Sequence, residues 1–330
     1  MADPKFDVLG IGNAIVDVLS HSDDSFLQKH GMAKGGMQLI DDTAAEAIYA
    51  AMGPGIEASG GSAANTIAGL ATLGGRGAFI GKVRDDQLGR VFTHDIRAVG
   101  ARFDTPAASE GPPTARCLVL VTPDAQRTMN TFLGASTGLG PEDVDPALVE
   151  AAAITYLEGY LWDPPRAKDA FRKAMDLAKA AGRQVALSLS DPFCVDRYRT
   201  EFRELADGPV DILFANEEEI KSLYEVTDFD TARDAVRGKV GVAVLTRSEK
   251  GAVIVTADET HVLEAEPVSK LVDSTGAGDL FAAGFLYGVT QGHDLPTSGR
   301  IAAIAAAECL SHVGPRPEAD LKALLRDRLG

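Results

Sequence analysis

Between residues 152 and 311 the chain alternates between short apolar segments and longer segments with helical periodicity. Strands separated by helices in this way favour an α/β fold, with a mostly parallel sheet covered by helices on both faces. The N-terminal part starts the same pattern, with a strand at 6–12 and a helix that Ser62 caps and Gly74 stops. The other predicted strands are 77–81, 154–157, 184–190, 210–215 and 242–246, and the other helices are 86–99, 166–181, 216–224, 280–291 and 297–311.

Two segments, 13–41 and 101–135, break this alternation. In the second of them, the segments 116–121 and 127–131 lack helical periodicity and flank Pro123-Asp124, a turn signal that predicts a hairpin. We expect the two segments to form a small sheet of their own. The core domain would then consist of residues 1–12, 42–100 and 136–330.

The charge and composition indicate which partners to expect. The formal net charge of the 330 residues is −16, which disfavours general nucleic-acid binding because the phosphate backbone is also negative. No segment has the length and apolarity of a membrane span, and Met1 to Lys5 lack the pattern of a secretory signal. The three cysteines lie far apart in the sequence and predict free thiols in a reducing compartment. We therefore expect a cytoplasmic protein that acts on small molecules.

The strongest chemical signal is the run DSTGAGD at residues 273–279, which precedes an apolar helix. Its glycines allow a sharp turn, and the N–H groups of 275–278 would lie at the positive end of that helix, where they can bind a developing phosphoryl anion. Asp279 would lie one turn away and could accept a proton from an alcohol. The alternative is an ordinary capped helix start, which the length of the run and the apolar helix after it disfavour.

Two further polar segments follow predicted strands, at the edge where open α/β sheets bind ligands. Asn216 and Glu219 are one helical turn apart and could organise a hydrated Mg²⁺, although the helix dipole alone also favours acidic residues there. The segment from Thr246 to Gly251 could hold nucleotide phosphates through hydroxyl and backbone donors, or could simply be a turn.

A third group of residues is suited to binding a sugar-like substrate. Gly60 and Gly61 would let a ligand approach the backbone closely, and Asn65 extends from the first turn of the next helix into the same space. Asn13 and Asp17 follow the first strand, and an aspartate can accept two hydrogen bonds from a vicinal diol. The competing interpretation of Asp17 is a solvated loop acid.

Other nucleotide-binding and catalytic motifs fail in this sequence. A P-loop that ends at Gly81-Lys82 would need glycine at position 76, which is Arg76. The segment GIGNAIV at 10–16 lacks the third glycine of a dinucleotide-binding fingerprint, and the six histidines have no metal-ligand spacing.

Together these segments resemble the PfkB, or ribokinase-like, family of carbohydrate kinases over nearly the whole chain. Residues 60–89 resemble the N-terminal signature of the family, and residues 273–285 resemble its C-terminal signature. The resemblance implies a three-layer α/β/α core with a small β-sheet lid, MgATP as phosphoryl donor and a cytoplasmic enzyme. It also implies that Asp279 is the base, that Gly276, Ala277 and Gly278 form the anion hole, and that Asn216 and Glu219 hold Mg²⁺ through water. Contacts to ATP are expected from Asn216, Thr246, Ser248, Gly251, Thr275 and Gly278, and K⁺ beside Asp273 and Thr275.

Within the family the substrate-binding segments are most similar to those of adenosine kinases. This similarity implies that Asp17 binds the ribose hydroxyls, that Gln38 contacts the nucleoside and that Arg127 approaches the phosphates. The full expected substrate site comprises Asn13, Asp17, Gln38, Gly60, Gly61, Ser62, Asn65, Arg127 and Phe281. Ser248 departs from the family, because many relatives have a glycine at that position of the nucleotide loop.

Three readings of the function remain open from the sequence. The first is phosphorylation of the 5′-hydroxyl of adenosine. The second is a sugar kinase of the same fold that acts on ribose, fructose or a keto-deoxy sugar acid. The third is a non-catalytic protein that senses nucleosides or ATP, which the intact Asp279 argues against. The protein could be a monomer, or a homodimer that pairs through its small sheet.

Overall fold

The computed structural model describes residues 3–124 and 126–329, in which the strands form two separate sheets. Residues 1, 2, 125 and 330, which the predicted segments include, lie outside the described residues. In chain order the strands are β1 (Phe6–Ile11), β2 (Ile15–His21), β3 (Met37–Leu39), β4 (Gly55–Gly60), β5 (Gly77–Ile80), β6 (Arg102–Phe103), β7 (Ala115–Val121), β8 (Arg127–Phe132), β9 (Ala152–Glu158), β10 (Gln184–Ser188), β11 (Ile212–Asn216), β12 (Val242–Thr246), β13 (Ala252–Val255) and β14 (Thr260–Leu263).

The larger sheet has the strand order β14-β13-β12-β11-β10-β9-β1-β5-β6. Neighbours are parallel from β12 to β6, whereas β13 and β14 pair in the antiparallel direction. The carboxyl ends of the parallel strands therefore meet along one edge, where the polar segments that follow β1, β9, β11 and β12 come together. The mostly parallel sheet predicted from the alternating pattern is confirmed.

Helices cover both faces of this sheet and form two apolar cores. In chain order the α-helices are α1 (Asp24–Lys29), α2 (Asp42–Ala51), α3 (Ser62–Thr72), α4 (Gln87–Ala98), α5 (Pro146–Glu150), α6 (Pro165–Ala180), α7 (Pro192–Ala206), α8 (Glu217–Tyr224), α9 (Phe229–Val236), α10 (Ala277–Thr290), α11 (Leu295–Cys309) and α12 (Leu321–Leu329). One core lies between the sheet and α5 to α9, and the other between the sheet and α3, α4, α10 and α11. The three-layer α/β/α core is confirmed.

Small residues bring α10 and α11 close together behind the DSTGAGD run. A Cβ added to Gly284 would lie 2.6 Å from the Cα of Ala302, and one added to Gly288 would lie 2.6 Å from the Cα of Ser298. Both contacts are with backbone, which cannot move aside as a flexible side chain would. The close packing holds the helix that carries Asp279 in a fixed position.

The smaller sheet has the order β3-β8-β7-β2-β4. Val18, Leu118 and Leu120 pack on its outer face under α1 and α2, together with Leu27 and Ile48. Because side chains alternate along a strand, their sequence neighbours face the other side, towards the larger domain. Two strands differ from the predicted segments: β4 belongs to the smaller sheet, because it pairs with β2, and β6 belongs to the larger sheet, because it pairs with β5.

Two helix starts also differ from the predictions. The N-cap of α3 is Gly61, and Ser62 is the first helical residue, so that its hydroxyl is not used as a cap. Helix α10 begins at Ala277 and not near Leu280, which places Asp279 inside its first turn. Among the described residues, no helix combines the length and the apolarity needed to cross a membrane.

Candidate active site

One cavity of about 1470 Å³ lies between the small sheet and the carboxyl edge of the larger sheet. It brings together nearly all of the residues that the sequence pointed to, although they are spread over the chain. Gly60 and Asp273 are the exceptions, because neither residue lines the cavity. The predicted residues that line the cavity are Asn13, Asp17, Gln38, Gly61, Ser62, Asn65, Arg127, Asn216, Glu219, Thr246, Ser248, Gly251, Thr275, Gly276, Ala277, Gly278, Asp279 and Phe281.

Asp279 is held by two side chains from the start of α3. Its carboxylate accepts hydrogen bonds from Ser62 Oγ at 2.6 Å and from Asn65 Nδ2 at 2.9 Å. Burial raises the pKa of Asp279 from 3.8 to about 6, against the effect of these two bonds and of the positive charge of Arg316. Asp279 is therefore ionised at neutral pH and close to the pKa range of an effective base.

The loop before α10 is fixed by Asp273, which is buried. Asp273 accepts hydrogen bonds from the N–H groups of Thr275 at 3.1 Å and Gly314 at 2.8 Å, and forms a 2.8 Å ion pair with Arg127 on β8. Gly276 then adopts a left-handed conformation with φ +80° and caps α10. The first N–H groups of a helix have no acceptor within the helix. Of those at the start of α10, the N–H of Ala277 donates to Ser274 O at 3.3 Å in the preceding loop. The loop thus presents backbone donors to the cavity.

Asp17 lies on β2 and lines the same cavity as Asp279. Burial raises its pKa to about 7, which the charges of Arg316 and Arg127 oppose. A Cβ added to Gly60 would collide with the Asp17 carboxylate, so any larger residue at position 60 would displace that carboxylate. The carboxylate is enclosed and is not the solvated loop acid of the alternative interpretation.

Two amide oxygens next to these carboxylates have no partner. The Oδ1 atoms of Asn13 and Asn65 are buried and accept no hydrogen bond from the described residues. An unpaired buried acceptor costs about 1–3 kcal/mol. Both atoms are therefore free to accept a hydrogen bond from a donor in the cavity.

Glu158 is a site residue that our sequence analysis missed. This buried residue ends β9 and accepts three hydrogen bonds of 2.7 Å, from the N–H and Nδ2 of Asn13 and from the N–H of Ala63. Burial raises its pKa to about 7, opposed by these bonds. Its position at the carboxyl end of a predicted strand was a usable signal. Glu158 fixes the end of β1 relative to the start of α3.

Gln38 lies along the cavity wall, but its amide is engaged elsewhere. Its Nε2 donates to Asn130 Oδ1 at 2.7 Å, and Asn130 in turn contacts Met32. The neighbours of Gln38 on β3, Met37 and Leu39, also line the cavity. In this structure β3 therefore contributes mainly apolar side chains to the cavity.

Apart from Thr275 and Gly278, the nucleotide-binding residues predicted from sequence lie at or just after the ends of β11 and β12. Asn216 and Glu219 form a capping box, in which the Glu219 carboxylate accepts from the N–H of Asn216 at 2.9 Å and from its Nδ2 at 2.6 Å. Burial raises the pKa of Glu219 to about 7. No cluster of three or more His, Cys, Asp or Glu side chains among the described residues could hold a metal ion. Asn216 and Glu219 carry amide and carboxylate oxygens, which are ligands that Mg²⁺ accepts, and this ion usually keeps several of its waters.

Ser248 adopts a left-handed conformation with φ +51°, which explains why a glycine would suit this position of the loop. We expect Ser248→Gly to leave stability unchanged or to raise it by up to about 1 kcal/mol, because removing the strained Cβ offsets the greater freedom of glycine in the unfolded chain. Thermal and urea unfolding would measure this. Ala47→Gly, at an exposed interior position of the right-handed helix α2, should instead cost about 1 kcal/mol. A loss of similar size in Ser248→Gly would contradict the prediction.

Comparison with known proteins identifies the family. The family model "pfkB family carbohydrate kinase" matches residues 55–321, which include both signatures and the loop of Arg316. The chain belongs to the pfkB family of carbohydrate kinases. It is therefore a phosphotransferase that moves phosphate to an alcohol, and its fold implies that it binds ATP.

Several relatives of this pfkB kinase are adenosine or sugar kinases. The structure of adenosine kinase from Sinorhizobium meliloti is 52% identical, with a TM-score of 0.92 over 98% of this chain and 99% of that one. A probable sugar kinase from Rhizobium etli is 49% identical, with a TM-score of 0.93 over the same shares of the two chains. Adenosine kinase from Saccharomyces cerevisiae is 26% identical over 92% of this chain and 95% of its own length.

Proposed function

We propose that this pfkB kinase transfers the γ-phosphate of MgATP to the 5′-hydroxyl of adenosine, yielding AMP and ADP. The observation that carries the proposal is the apolar inner face of the small sheet, directly beside Asp17. It consists of Ile15, Leu19, Met37, Leu39, Cys117, Val119 and Met129. A purine ring would cover this surface, whereas a free sugar would leave most of it exposed to water.

In the proposed reaction the carboxylate of Asp279 removes the proton from the hydroxyl as its oxygen attacks the γ-phosphorus. The bond from that phosphorus to the β-phosphate oxygen breaks, and ADP leaves. Ser62 and Asn65 hold the carboxylate in place, and the backbone amides of Gly276, Ala277 and Gly278 stabilise the transferred group. Mg²⁺, held through water by Asn216 and Glu219, would neutralise charge on the phosphates.

The residues around Asp279, the proposed catalytic base, also support the proposed substrate contacts. In the proposal Asp17 accepts from two ribose hydroxyls, and the unpaired Oδ1 atoms of Asn13 and Asn65 can accept from others. Arg127 and Phe281 both line the same cavity. A monovalent cation beside Asp273 and Thr275 stays a prediction, which exchange of K⁺ for Na⁺ in the assay would test.

A panel of acceptors tests the proposal directly. Purified protein would be given ATP with adenosine, ribose, fructose or a keto-deoxy sugar acid, and the phosphorylated products would be quantified. We expect kcat/KM for adenosine to exceed that for ribose by at least about 100-fold, because burying a purine on an apolar wall is worth several kcal/mol. A preference for any sugar would replace the proposal with a sugar kinase, as the similarity to the Rhizobium etli protein would also allow.

The apolar wall itself is tested by Met129→Gln, which keeps the size of the side chain but makes its end polar. We expect KM for adenosine to rise about tenfold, since an amide end must lose its water when the purine covers it, and the activity on ribose to change little. The control is Ile56→Thr, which alters a highly exposed apolar residue that lies outside the cavity lining. If Met129→Gln changed KM equally for adenosine and for ribose, the result would contradict a purine-binding role of this wall.

A further inference from the structure

Arg316 bridges the two domains from the loop after α11, where no functional residue was predicted. Its Nε and Nη2 donate to Ser59 O at 3.3 and 3.1 Å, and its Nη2 also donates to Ser59 Oγ at 3.0 Å. Its Nη1 donates to Ala64 O at 3.1 Å. Ser59 belongs to β4 of the smaller sheet, whereas Ala64 belongs to α3 of the larger domain. One guanidinium group thus holds an element of each domain.

The bridge spans the point where the chain passes from one domain to the other. Only Gly61 separates the end of β4 from the start of α3. Gly61 has φ +94°, and a Cβ there would collide with the carbonyl oxygen of Asn13. Such a glycine connection can act as a hinge. Since α3 carries Ser62 and Asn65, any rotation about Gly61 would move β4 relative to the side chains that hold Asp279.

The loop that carries Arg316 also supports the proposed anion hole. The N–H of Gly314 donates to Asp273 Oδ2 at 2.8 Å. Pro315 packs so closely on Gly276 that an added Cβ would lie 2.6 Å from its Cα. At the end of α11, just before the loop, Cys309 Sγ donates to Thr275 O at 3.3 Å. Three consecutive residues, 314–316, therefore contact the DSTGAGD run and the hinge.

We infer that Arg316 is a positioning residue that couples the hinge of the small sheet to the anion-hole loop, so that closure over the substrate and alignment of Asp279 occur together. The inference rests on the proposed role of Asp279 but not on which alcohol is phosphorylated. A planar guanidinium is required, because its separate N–H groups reach the carbonyls of Ser59 and Ala64 at the same time. Lysine would keep the charge but would replace the fork with a single ammonium group.

The charge of Arg316 adds a second effect that a purely structural bridge would not have. It lowers the pKa of both Asp17 and Asp279, against the larger effect of burial. Removing it should therefore raise the pKa of Asp279, so that activity is lost at a higher pH on the acid side. The titratable and charged groups that interact with Asp279 from the surrounding elements are Asp17 on β2, Tyr156 and Glu158 on β9, Tyr160 after β9, Cys309 on α11 and Arg316.

The test compares Arg316→Gln and Arg316→Lys with the wild type, using the best acceptor that the panel finds. For Arg316→Gln we expect kcat/KM for the acceptor to fall at least tenfold, and the acid limb of the kcat profile to move up by about one pH unit. For Arg316→Lys we expect a similar fall in kcat/KM with little movement of the acid limb. Arg237→Gln is the matched control, because Arg237 bridges the carbonyls of Thr256 and Glu259 far from the cavity, and it should retain full activity.

Thermal unfolding and chemical rescue keep the outcomes distinct. In Arg316→Ala, added methylguanidinium should restore part of the lost kcat/KM, which it cannot do for a general loss of folding. If Arg316→Gln is folded and keeps both the kcat/KM and the acid limb of the wild type, the inference is wrong. If Arg316→Gln does not fold, Arg316→Lys is the deciding variant. A wild-type kcat/KM in Arg316→Lys would show that the guanidinium bridge is not needed and that the inference is wrong. If the adenosine proposal is wrong, the acceptor panel of the wild type will show it. The comparison of the Arg316 variants with the wild type would then be made with the acceptor that the panel identifies.

Discussion

Replacing Asp279 with asparagine should lower kcat by about 10²–10⁴-fold, the usual contribution of a general base. The amide cannot accept the proton of the substrate hydroxyl. Ser62 can rotate its hydroxyl to accept from the new NH₂ group, and Asn65 can donate to the remaining oxygen, so the local structure should persist. ATP binding, measured by calorimetry, should stay close to that of the wild type. Wild-type turnover in this variant would show that Asp279 is not the base.

The pH dependence of the same variant gives a second readout. Because the pKa of Asp279 is about 6, kcat of the wild type should fall as the pH drops below 6, and Asp279→Asn should lack this limb. The ionisation of Asp279 affects stability in the opposite direction from activity. A carboxylate whose pKa is raised from 3.8 on folding favours the folded state at low pH, and this contribution is lost as the pH rises through 6. Asp279→Asn should therefore be at least as stable as the wild type at pH 8, although it is much less active.

Replacing Gly276 with alanine should damage both the proposed anion hole and the fold. At φ +80° a Cβ is strained, and here it would lie 2.6 Å from Pro315 Cα and 3.1 Å from Pro315 O. Pro315 cannot easily withdraw, because the adjacent Gly314 is bonded to Asp273. We expect kcat to fall at least 100-fold, as when an oxyanion donor is lost, and the free energy of unfolding to fall by about 2–4 kcal/mol. Steady-state kinetics and urea unfolding would measure the two effects.

Gly292→Ala separates the effect of φ from the effect of the contact. Gly292 has φ +81°, and a Cβ there would meet no described atom within 4 Å. It should lose about 1 kcal/mol of stability and keep its kcat. If Gly276→Ala behaved like Gly292→Ala in both assays, the tight packing of Pro315 on the anion-hole loop would have no functional importance.

The features that the sequence predicted well are local ones. The period of the apolar residues marked the strands and helices of the larger domain, and glycines marked positions where the backbone needs positive φ, such as Gly61 and Gly276. The run at 273–279 and the polar residues after β1, β11 and β12 pointed to one edge of the sheet, because parallel strands end there together. The sequence therefore predicted this edge, and nearly all of the residues predicted for the site line the cavity.

Other features depend on contacts between distant parts of the chain. The assignment of β4 to the smaller sheet follows from its pairing with β2, and nothing in its own sequence specifies that partner. Ser62 was predicted as a cap, whereas its hydroxyl donates to Asp279, a residue 217 positions away. Glu158 bonds to Asn13 across 145 positions. Arg316 bonds to Ser59 across 257 positions.

The chain by itself determined the DSTGAGD run, its position before an apolar helix and the strand-helix pattern around it, since these follow from the backbone preferences of neighbouring residues. Only the tertiary structure decided what holds that run in place. The hydrogen bonds of Asp279 with Ser62 and Asn65, its raised pKa and the bridge made by Arg316 exist only when the small sheet, α3 and the loop after α11 are packed together. Burial and long-range hydrogen bonding are properties of that packing, and no local pattern of residues encodes them.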